Sequence, residues 1–391
     1  TTRVGQSLAR GNRELMHWYP EHIRDGRYGD WLANNVDWAI SRERYWGTPL
    51  PAWVCDGDDT HTHWVGSLAE LAEAAGELPD DFDPHRPFID ELTWGCADCD
   101  GTMRRTPEVI DVWFDSGAMP FAQWHYPFEN QDEFHRHFPA DFIVEYINQT
   151  RGWFYTMHVL ATALFDRPAF ENVICHGILL AEDGGKLSKK LRNYTEPALI
   201  FEQQGADALR WYLMSSNIVR GGNLRISDAG ITDVVRQVLL PIWNAYSFFT
   251  LYANVDGYRA EMRTDSTRLL DRYLLAKTRT LIESVTRHMD AYDLPGATAE
   301  IQGFTDALNN WYIRRSRDRF WAKSSQSNDA DKRDAYDTLY TVLVTFTRVA
   351  APFLPMVMEE IHTCLTGLPS VHLADWPDPD DLPADTDLVA R

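Results

Sequence analysis

The sequence contains few cysteines and few basic residues. Five cysteines among 391 residues are too few to hold a fold of this size together by disulfides, which favours a reducing, cytoplasmic location. Lysine and arginine together number 37, against 58 aspartates and glutamates, and the formal net charge is −21. This balance argues against a uniformly basic nucleic-acid-binding protein, because phosphate contacts need clustered cations. A local basic face on one domain is still compatible with it.

Long hydrophobic runs are also missing. The most apolar long segment, residues 341–358, is interrupted by Arg348, Pro352 and Pro355, so we expect no membrane span and no membrane partner. The first residues contain no apolar signal core. A large apolar fraction is nevertheless present, since 44% of the residues are hydrophobic and 13% are aromatic. Length and composition therefore predict two globular domains with a small third region.

One part of the chain has the alternating pattern of an α/β domain. Residues 142–147 and 172–180 are strand-like, and residues 153–164 between them are helix-like. Strand, helix, strand is the repeating unit of a parallel sheet that is covered by helices. We therefore predict an α/β domain with a parallel sheet, formed by residues 1–50 and 110–226.

Two other regions differ in character. Residues 51–109 are acidic and rich in loops, with one predicted helix from Ser67 to Gly76, and are interpreted as a small insertion. Residues 227–391 contain four amphipathic helical segments in succession, which predicts an all-α bundle. The third of these segments has apolar residues three or four positions apart, at Ile301, Phe304, Leu308, Trp311 and Tyr312.

A loop rich in glycine and lysine follows the strand-like residues 172–180. Residues 184–190 have the sequence GGKLSKK. The glycines free the backbone, and the lysines and the serine supply hydrogen-bond donors for phosphate groups. Taken alone, such a loop is more often a solvated turn, and its spacing is not that of a P-loop.

Three segments of the sequence together resemble class I aminoacyl-tRNA synthetases. Residues 186–190 are similar to the Lys-Met-Ser-Lys-Ser signature loop of that family, with Leu187 in place of Met and Lys190 in place of the last Ser. A His-Gly pair at 176–177 precedes the loop, and Asp-Ala-Leu-Arg at 207–210 follows it. The resemblance implies the Rossmann-like half of a catalytic core, with an incomplete parallel sheet, followed by an anticodon-binding helical bundle.

Further segments resemble the isoleucine branch of this family. Residues 37–47, DWAISRERYWG, are similar to the group that serves isoleucine and valine. Residues 113–117, 149–154 and 308–317 are similar to isoleucine–tRNA ligases in particular. The resemblance implies ATP-dependent activation of isoleucine and its transfer to tRNA(Ile). A valine–tRNA ligase and a non-catalytic tRNA-binding fragment or paralogue are the alternatives.

The resemblance also implies roles for individual residues. Lys186 and Lys189 would be catalytic, stabilising charge on the phosphates of ATP, which enters with Mg²⁺. The adenylate or ATP would be bound by Glu145, Gln149, His176, Gly177 and Ser188. Trp113 and Trp153 would line the isoleucine pocket, with ordinary core packing as the alternative.

A CxxC motif at residues 96–99 indicates half of a zinc site. Members of the family that the chain resembles commonly contain a second CxxC. This chain has the first cysteine of that motif, Cys55, and Asp58 in place of the second. The predicted ligands are Cys55, Asp58, Cys96 and Cys99, with His61 or His63 as alternatives for the fourth position. The site could also have decayed.

The third helical segment of the bundle ends in arginines. Arg315 and Arg319 continue its apolar stripe, and Arg314 lies beside them. We predict that these three arginines contact the tRNA backbone. The alternative is a set of ion pairs with acidic neighbours.

Two parts typical of the family do not occur in the sequence, namely the companion His-Ile-Gly-His motif and the large editing insertion. We therefore expect the chain to be inactive alone and to belong to a monomeric full-length enzyme. Its expected partners are ATP, isoleucine and tRNA(Ile).

Overall fold

The computed structural model describes residues 1–323 and 329–389. The chain divides into two compact units, Thr1–Ile174 and Cys175–Arg391. Residues 175–226, predicted to be part of the α/β domain, thus belong to the same compact unit as the helices. Residues 324–328 and 390–391 of the predicted bundle lie outside the described part. Among the described residues, no helix combines the length and the apolar character needed to cross a membrane.

The first unit is a mixture of short strands and helices. Its helices are α1 (Gly5–Glu14), α2 (Gly29–Ala33), α3 (Leu68–Ala75), α4 (Val112–Gly117), α5 (Met119–Ala122), α6 (Gln131–His137) and α7 (Trp153–Phe165). Its strands are β1 (His17–Tyr19), β2 (Ser41–Arg42), β3 (Ala52–Cys55), β4 (Thr62–Trp64), β5 (Trp94–Gly95), β6 (Thr102–Arg105), β7 (Val109–Ile110), β8 (Ala140–Tyr146) and β9 (Phe170–His176). The last two residues of β9 already belong to the second unit.

The main sheet of this unit has three strands in the order β1, β9, β8. β1 and β9 pair in parallel, with Trp18 opposite Val173, and both side chains are buried. Helix α7 connects β8 to β9 and is covered on nearly all sides, since residues 154–162 are all buried. The predicted strand–helix–strand unit and the incomplete parallel sheet are therefore confirmed.

The insertion forms its own small antiparallel sheet, in the strand order β4, β3, β6, β5. Trp53, Leu71, Ile89 and Met103 give it a separate hydrophobic core. Helix α3 begins after Ser67, whose hydroxyl accepts a hydrogen bond from the Glu70 amide at 3.1 Å. It ends at Gly76, which has φ +98°, so both ends of this predicted helix are confirmed.

The second unit begins with β10 (Leu179–Leu180), α8 (Pro197–Gln203), α9 (Ala206–Met214) and β11 (Leu224–Arg225). The helices that follow are α10 (Asp228–Val234), α11 (Leu240–Asp256), α12 (Leu269–Asp290), α13 (Leu294–Asp306), α14 (Arg314–Trp321), α15 (Asp329–Ala350), α16 (Pro355–Thr366) and α17 (Thr386–Val389). Their apolar stripes meet in one continuous core that includes Leu274, Phe304, Leu308 and Phe346. The predicted all-α region is confirmed.

The apolar stripe of α13 does not continue as the spacing predicts. Residues 307–313 between α13 and α14 form a π-helical segment, whose wider turn shifts the buried face by a fraction of a turn. Tyr312 is buried as the spacing predicts and Ile313 is buried beside it, whereas Trp311 is 44% exposed. The prediction of Trp311 as a core residue was therefore wrong.

Candidate functional site

The signature loop of the second unit is built by a tight reversal of the chain after β10. The Gly184 amide donates to Ala181 O, and the Ala181 amide donates to Gly185 O, both at 2.8 Å. Gly184 has φ +86°, a conformation that disfavours side chains. The reversal brings Lys186 into an antiparallel bridge with Leu180. The start of the lysine-rich segment is thus fixed to a strand.

The cations of this loop face solvent. Lys186, Lys189 and Lys190 are all exposed. A further cation, Arg225, lies beside the loop and was not identified from the sequence. Its guanidinium group lies 3.1 Å from the position that a Cβ of Gly184 would occupy. The parallel pairing of β10 with β11 brings it there, and no local sequence signal could have indicated that pairing.

Ser188 and Gly177 occupy constrained positions in the same unit. The Ser188 amide donates to Asn193 Oδ1 at 2.9 Å, and its hydroxyl accepts from the Leu191 amide at 3.4 Å. Gly177 is buried, and a Cβ at this position would collide with the carbonyl oxygen of Gly222. Glycine is therefore required at 177, because the backbones of Gly177 and Gly222 pack directly against each other.

The Asp-Ala-Leu-Arg segment begins α9 and connects it to α16. Asp207 is buried, and its carboxylate accepts hydrogen bonds from the Met356 and Val357 amides at the start of α16, at 3.4 and 2.8 Å. Burial raises the pKa of Asp207 above its ordinary value. Arg210 of the same helix donates to Pro352 O at 2.9 Å. The motif thus fixes α9 to the bundle.

In the first unit, Glu145 lies at the end of β8, and Gln149 lies in the short 3-10 helix Ile147–Arg151 that follows it. Glu145 is half-buried near the carboxyl end of the strand. Gln149 Oε1 accepts a hydrogen bond from the Trp153 amide at 2.9 Å and so caps the first turn of α7. A Cβ on Gly152 would lie 2.6 Å from Gln149 Oε1, so a side chain at this position would have to displace the capping side chain of Gln149.

The two predicted pocket tryptophans do not line one common cavity. Trp113 is 42% exposed and borders a cavity of about 290 Å³ together with Trp31, Trp38, Arg151 and Tyr155. Trp153 borders a different cavity of about 120 Å³, together with Phe142, Met157 and Phe170. Its indole N–H donates to Ser116 O at 3.0 Å.

The insertion gathers four potential metal ligands. The side-chain donor atoms of Cys55, His61, Cys96 and Cys99 all lie within 4.8 Å of one another. Cys55 Sγ and Cys99 Sγ are 3.4 Å apart, and Cys96 Sγ and His61 Nδ1 are 3.5 Å apart. A hydrogen bond from the Gly57 amide is the largest cause that lowers the pKa of Cys55 to about 7. Three of the four predicted ligands are thus brought together.

Asp58 was wrongly predicted as the fourth ligand. Its Oδ1 accepts from the amide and the hydroxyl of Thr60, at 2.9 and 2.7 Å, so it stabilises the turn between β3 and β4. This turn places His61 opposite Cys55, and the Cys55 amide donates to His61 O at 3.0 Å. His61, one of the alternatives, therefore takes the position, while Asp58 Oδ2 lies 3.8 Å from its other ring nitrogen.

The predicted tRNA-contacting arginines separate into two groups. Arg314 and Arg315 are exposed, and the Arg315 guanidinium lies 3.7 Å from the ring centre of Trp311. Arg319 instead donates to both carboxylate oxygens of the fully buried Asp271, at 2.6 and 2.8 Å, and its side chain is only 14% exposed. The ion-pair alternative holds for Arg319, so its prediction as a tRNA contact is corrected.

Comparison with protein families gives two matches. A family model described as tRNA synthetases class I (I, L, M and V) matches residues 3–225. A second model, described as the anticodon-binding domain of tRNA ligase, matches residues 271–390. Together they account for the α/β part, the insertion and most of the helical bundle.

Curated relatives are isoleucine–tRNA ligases. The protein from Leifsonia xyli subsp. xyli is 57% identical over 387 residues, which are 97% of this chain and 34% of that protein. The Mycobacterium tuberculosis protein is 56% identical over 382 residues, which are 96% of this chain and 35% of that protein. The chain therefore spans about a third of the length of these relatives.

Solved structures share the fold at low sequence identity. LeuRS from Agrobacterium radiobacter, in a ternary complex with tRNA and LeuAMS, has a TM-score of 0.66 at 21% identity and covers 94% of this chain and 46% of its own. Methionyl-tRNA synthetase from Mycobacterium tuberculosis, in complex with methionyl-adenylate, has a TM-score of 0.64 at 19% identity, with 92% and 60% covered. With the two family matches and the isoleucine–tRNA ligases as relatives, the chain belongs to the class I tRNA synthetases and combines part of their catalytic region with their anticodon-binding domain.

Proposed function

We propose that this chain is the part of an isoleucine–tRNA ligase that contributes the signature loop and the tRNA-reading bundle. The observation that carries the proposal is the loop itself. Lys186 is fixed against β10, Lys189 follows three residues later, and both side chains are exposed. Their ammonium groups are available to polyanionic phosphate. The curated relatives at 52–57% identity favour isoleucine as the amino acid.

In the proposed reaction, the carboxylate of isoleucine attacks the α-phosphorus of ATP. The bond to the β-phosphate oxygen breaks, pyrophosphate leaves, and an isoleucyl-adenylate remains. A ribose hydroxyl at the tRNA end then attacks the adenylate carbonyl, and AMP leaves. Lys186 and Lys189 would stabilise charge on the phosphates electrostatically, alongside the Mg²⁺ that accompanies ATP.

The remaining predicted site residues would bind and orient the adenylate. Because Gln149 Oε1 is already used by the Trp153 amide, its Nε2 is the group left to donate to a ligand. Glu145, His176, Gly177 and Ser188 would contact the adenylate, as the family resemblance implies. Trp113 and Trp153 border separate cavities, so one of them rather than both would line the isoleucine side chain. If Trp153 is that residue, Trp153→Ala should raise the KM for isoleucine more than it lowers kcat.

The insertion is proposed to hold one structural Zn²⁺. Three sulfurs and one imidazole nitrogen form a ligand set that suits zinc, and ligand–metal bonds of about 2.3 Å imply ligand separations of about 3.8 Å in a tetrahedron. The observed separations of 3.4 and 3.5 Å are close to this value. Bound zinc would join the β3–β4 turn to the loop between β5 and β6, and no step of the reaction depends on it.

The exposed end of α14 is proposed as a contact for the tRNA backbone. Arg314 and Arg315 are the residues that carry it, since both guanidinium groups are exposed. Stacking of Arg315 on Trp311 holds one of them in a defined orientation. This position would add local positive charge to an otherwise acidic protein.

The test is ATP–pyrophosphate exchange by the full-length gene product that contains this chain. Isoleucine should support exchange much better than valine, and Lys189→Ala should lower kcat about a hundredfold or more. Lys190→Ala removes the same charge from the same loop and serves as the matched control. Equal losses in both variants would mean that only net charge matters.

Two outcomes would support the alternatives. A preference for valine would identify a valine–tRNA ligase. Binding of tRNA without exchange for either amino acid would identify a non-catalytic tRNA-binding protein.

A further inference from the structure

The side chain of Asn193 bridges the main chain of Lys186 and Ser188 in the signature loop. Its Oδ1 accepts from the Ser188 amide at 2.9 Å, and its Nδ2 donates to Lys186 O at 3.0 Å. A side-chain amide presents one acceptor and one donor side by side. Asn193 thus satisfies the main chain of the loop as the peptide group of a neighbouring strand would.

The loop has little else to hold it at this point. After the bridge between Leu180 and Lys186, residues 187–190 belong to no strand or helix. The other hydrogen bonds of Ser188 are local, from Arg192 N to its carbonyl and from Leu191 N to its hydroxyl. These local bonds close the turn on itself. Asn193 supplies the bonds that connect this turn back to Lys186.

The backbone before Asn193 is arranged for this contact. Arg192 has φ +50°, an uncommon conformation for a residue other than glycine. Such a conformation persists where surrounding interactions specify it. The hydrogen bond from the Arg192 amide to Ser188 O, at 2.9 Å, and the two bonds of Asn193 supply that specification.

We propose that Asn193 is a positioning residue for the phosphate-binding lysines. It would not touch ATP, but would fix the main chain between Lys186 and Ser188 and so maintain the spacing between the ammonium groups of Lys186 and Lys189. Fixed cations stabilise developing phosphate charge better than mobile ones, because no reorganisation is needed at the moment of reaction. The catalytic consequence of this inference rests on the proposed function.

Amide hydrogen exchange tests the contact independently of activity. In Asn193→Ala the Ser188 amide should exchange about tenfold to a hundredfold faster, since its partner is removed. Asn193→Asp keeps an acceptor oxygen and should retain most of the protection. Asn223→Ala is the matched control, because Asn223 Oδ1 accepts from the Ile178 amide at 3.2 Å, outside the loop. Unchanged exchange at Ser188 in Asn193→Ala would overturn the inference.

Kinetics of the full-length protein test the consequence. Asn193→Ala should lower kcat for pyrophosphate exchange about tenfold or more, with the KM for isoleucine within about twofold and an unchanged thermal midpoint. A kcat equal to that of the wild type would refute the positioning role. A loss of kcat accompanied by a lower thermal midpoint would also refute it, because destabilisation would then explain the loss. If the wild type exchanges no pyrophosphate, the proposed function fails instead, and amide exchange still decides whether Asn193 holds the loop.

Discussion

Replacing Arg319 by alanine should destabilise the helical unit rather than weaken tRNA binding. Both carboxylate oxygens of Asp271 accept from Arg319, and the other donors to this buried carboxylate are the hydroxyls of Tyr312 and Ser266. Without Arg319, a fully buried negative charge keeps two neutral donors and loses its bidentate countercharge. Removal of one partner of a buried ion pair costs about 3–5 kcal/mol, and we expect the free energy of unfolding to fall by this amount.

An exposed ion pair nearby provides the matched control. Arg268 lies 3.3 Å from Asp331, a carboxylate that Arg319 also approaches at 3.1 Å, and the Arg268 side chain is 52% exposed. A surface pair of this kind contributes about 0–1 kcal/mol, so Arg268→Ala should have little effect on stability. In a second pair of variants, Arg319→Met combined with Asp271→Asn should be more stable than Arg319→Met alone, because the unpaired buried charge is then removed.

Urea unfolding followed by tryptophan fluorescence, together with tRNA binding, distinguishes the two roles. We expect a lower unfolding midpoint for Arg319→Ala, with tRNA affinity unchanged under conditions in which the variant is folded. A stability loss as small as that of Arg268→Ala, combined with weaker tRNA binding, would refute the reasoning. Arg319 would then be an RNA contact despite its burial.

Three further outcomes are expected. Arg315→Ala should weaken tRNA binding and reduce the slope of log affinity against log salt by about one unit if one phosphate contact is lost, whereas unchanged salt dependence would argue against the contact. Cys96→Ser should abolish stoichiometric zinc in metal analysis and lower the thermal midpoint, and a wild-type protein that contains no zinc after purification with added metal would exclude the site. Burial lowers the pKa of His158 to about 3, so the unfolded chain binds a proton at a higher pH than the folded chain does. On acidification, the free energy of unfolding should therefore fall by about 1.4 kcal/mol per pH unit between about pH 6.5 and 3. His158→Gln should flatten this dependence in urea midpoints, and an equally steep profile would contradict it.

Features that depend on neighbouring residues were predictable from the sequence. The helix between Ser67 and Gly76 was predicted with both ends, because a serine cap and a left-handed glycine act within one turn. The signature loop was recognised because its glycines and lysines are contiguous. The order of strand, helix and strand before it follows from the local hydrophobic pattern and is confirmed. The strand predicted at 172–180 is instead divided into β9 and β10, which lie in different sheets.

Other properties depended on contacts between residues distant in sequence, or on small changes in helix geometry. Asp271 pairs with Arg319 from another helix, and Arg225 lies beside Gly184 through the pairing of β10 with β11. The choice of His61 rather than Asp58 depended on the turn between β3 and β4, since spacing alone allowed either.

The sequence by itself was sufficient to identify the family, the signature loop and the helical bundle, because contiguous motifs and periodic apolar positions indicate them. Only the tertiary structure decided which arginines are exposed and which tryptophan lines which cavity. In the third helical segment Tyr312 is buried as predicted, whereas Trp311, within the π-helical residues 307–313, is 44% exposed. The physical reason is that the environment of a side chain is set by the elements packed around it, and a local pattern does not contain them.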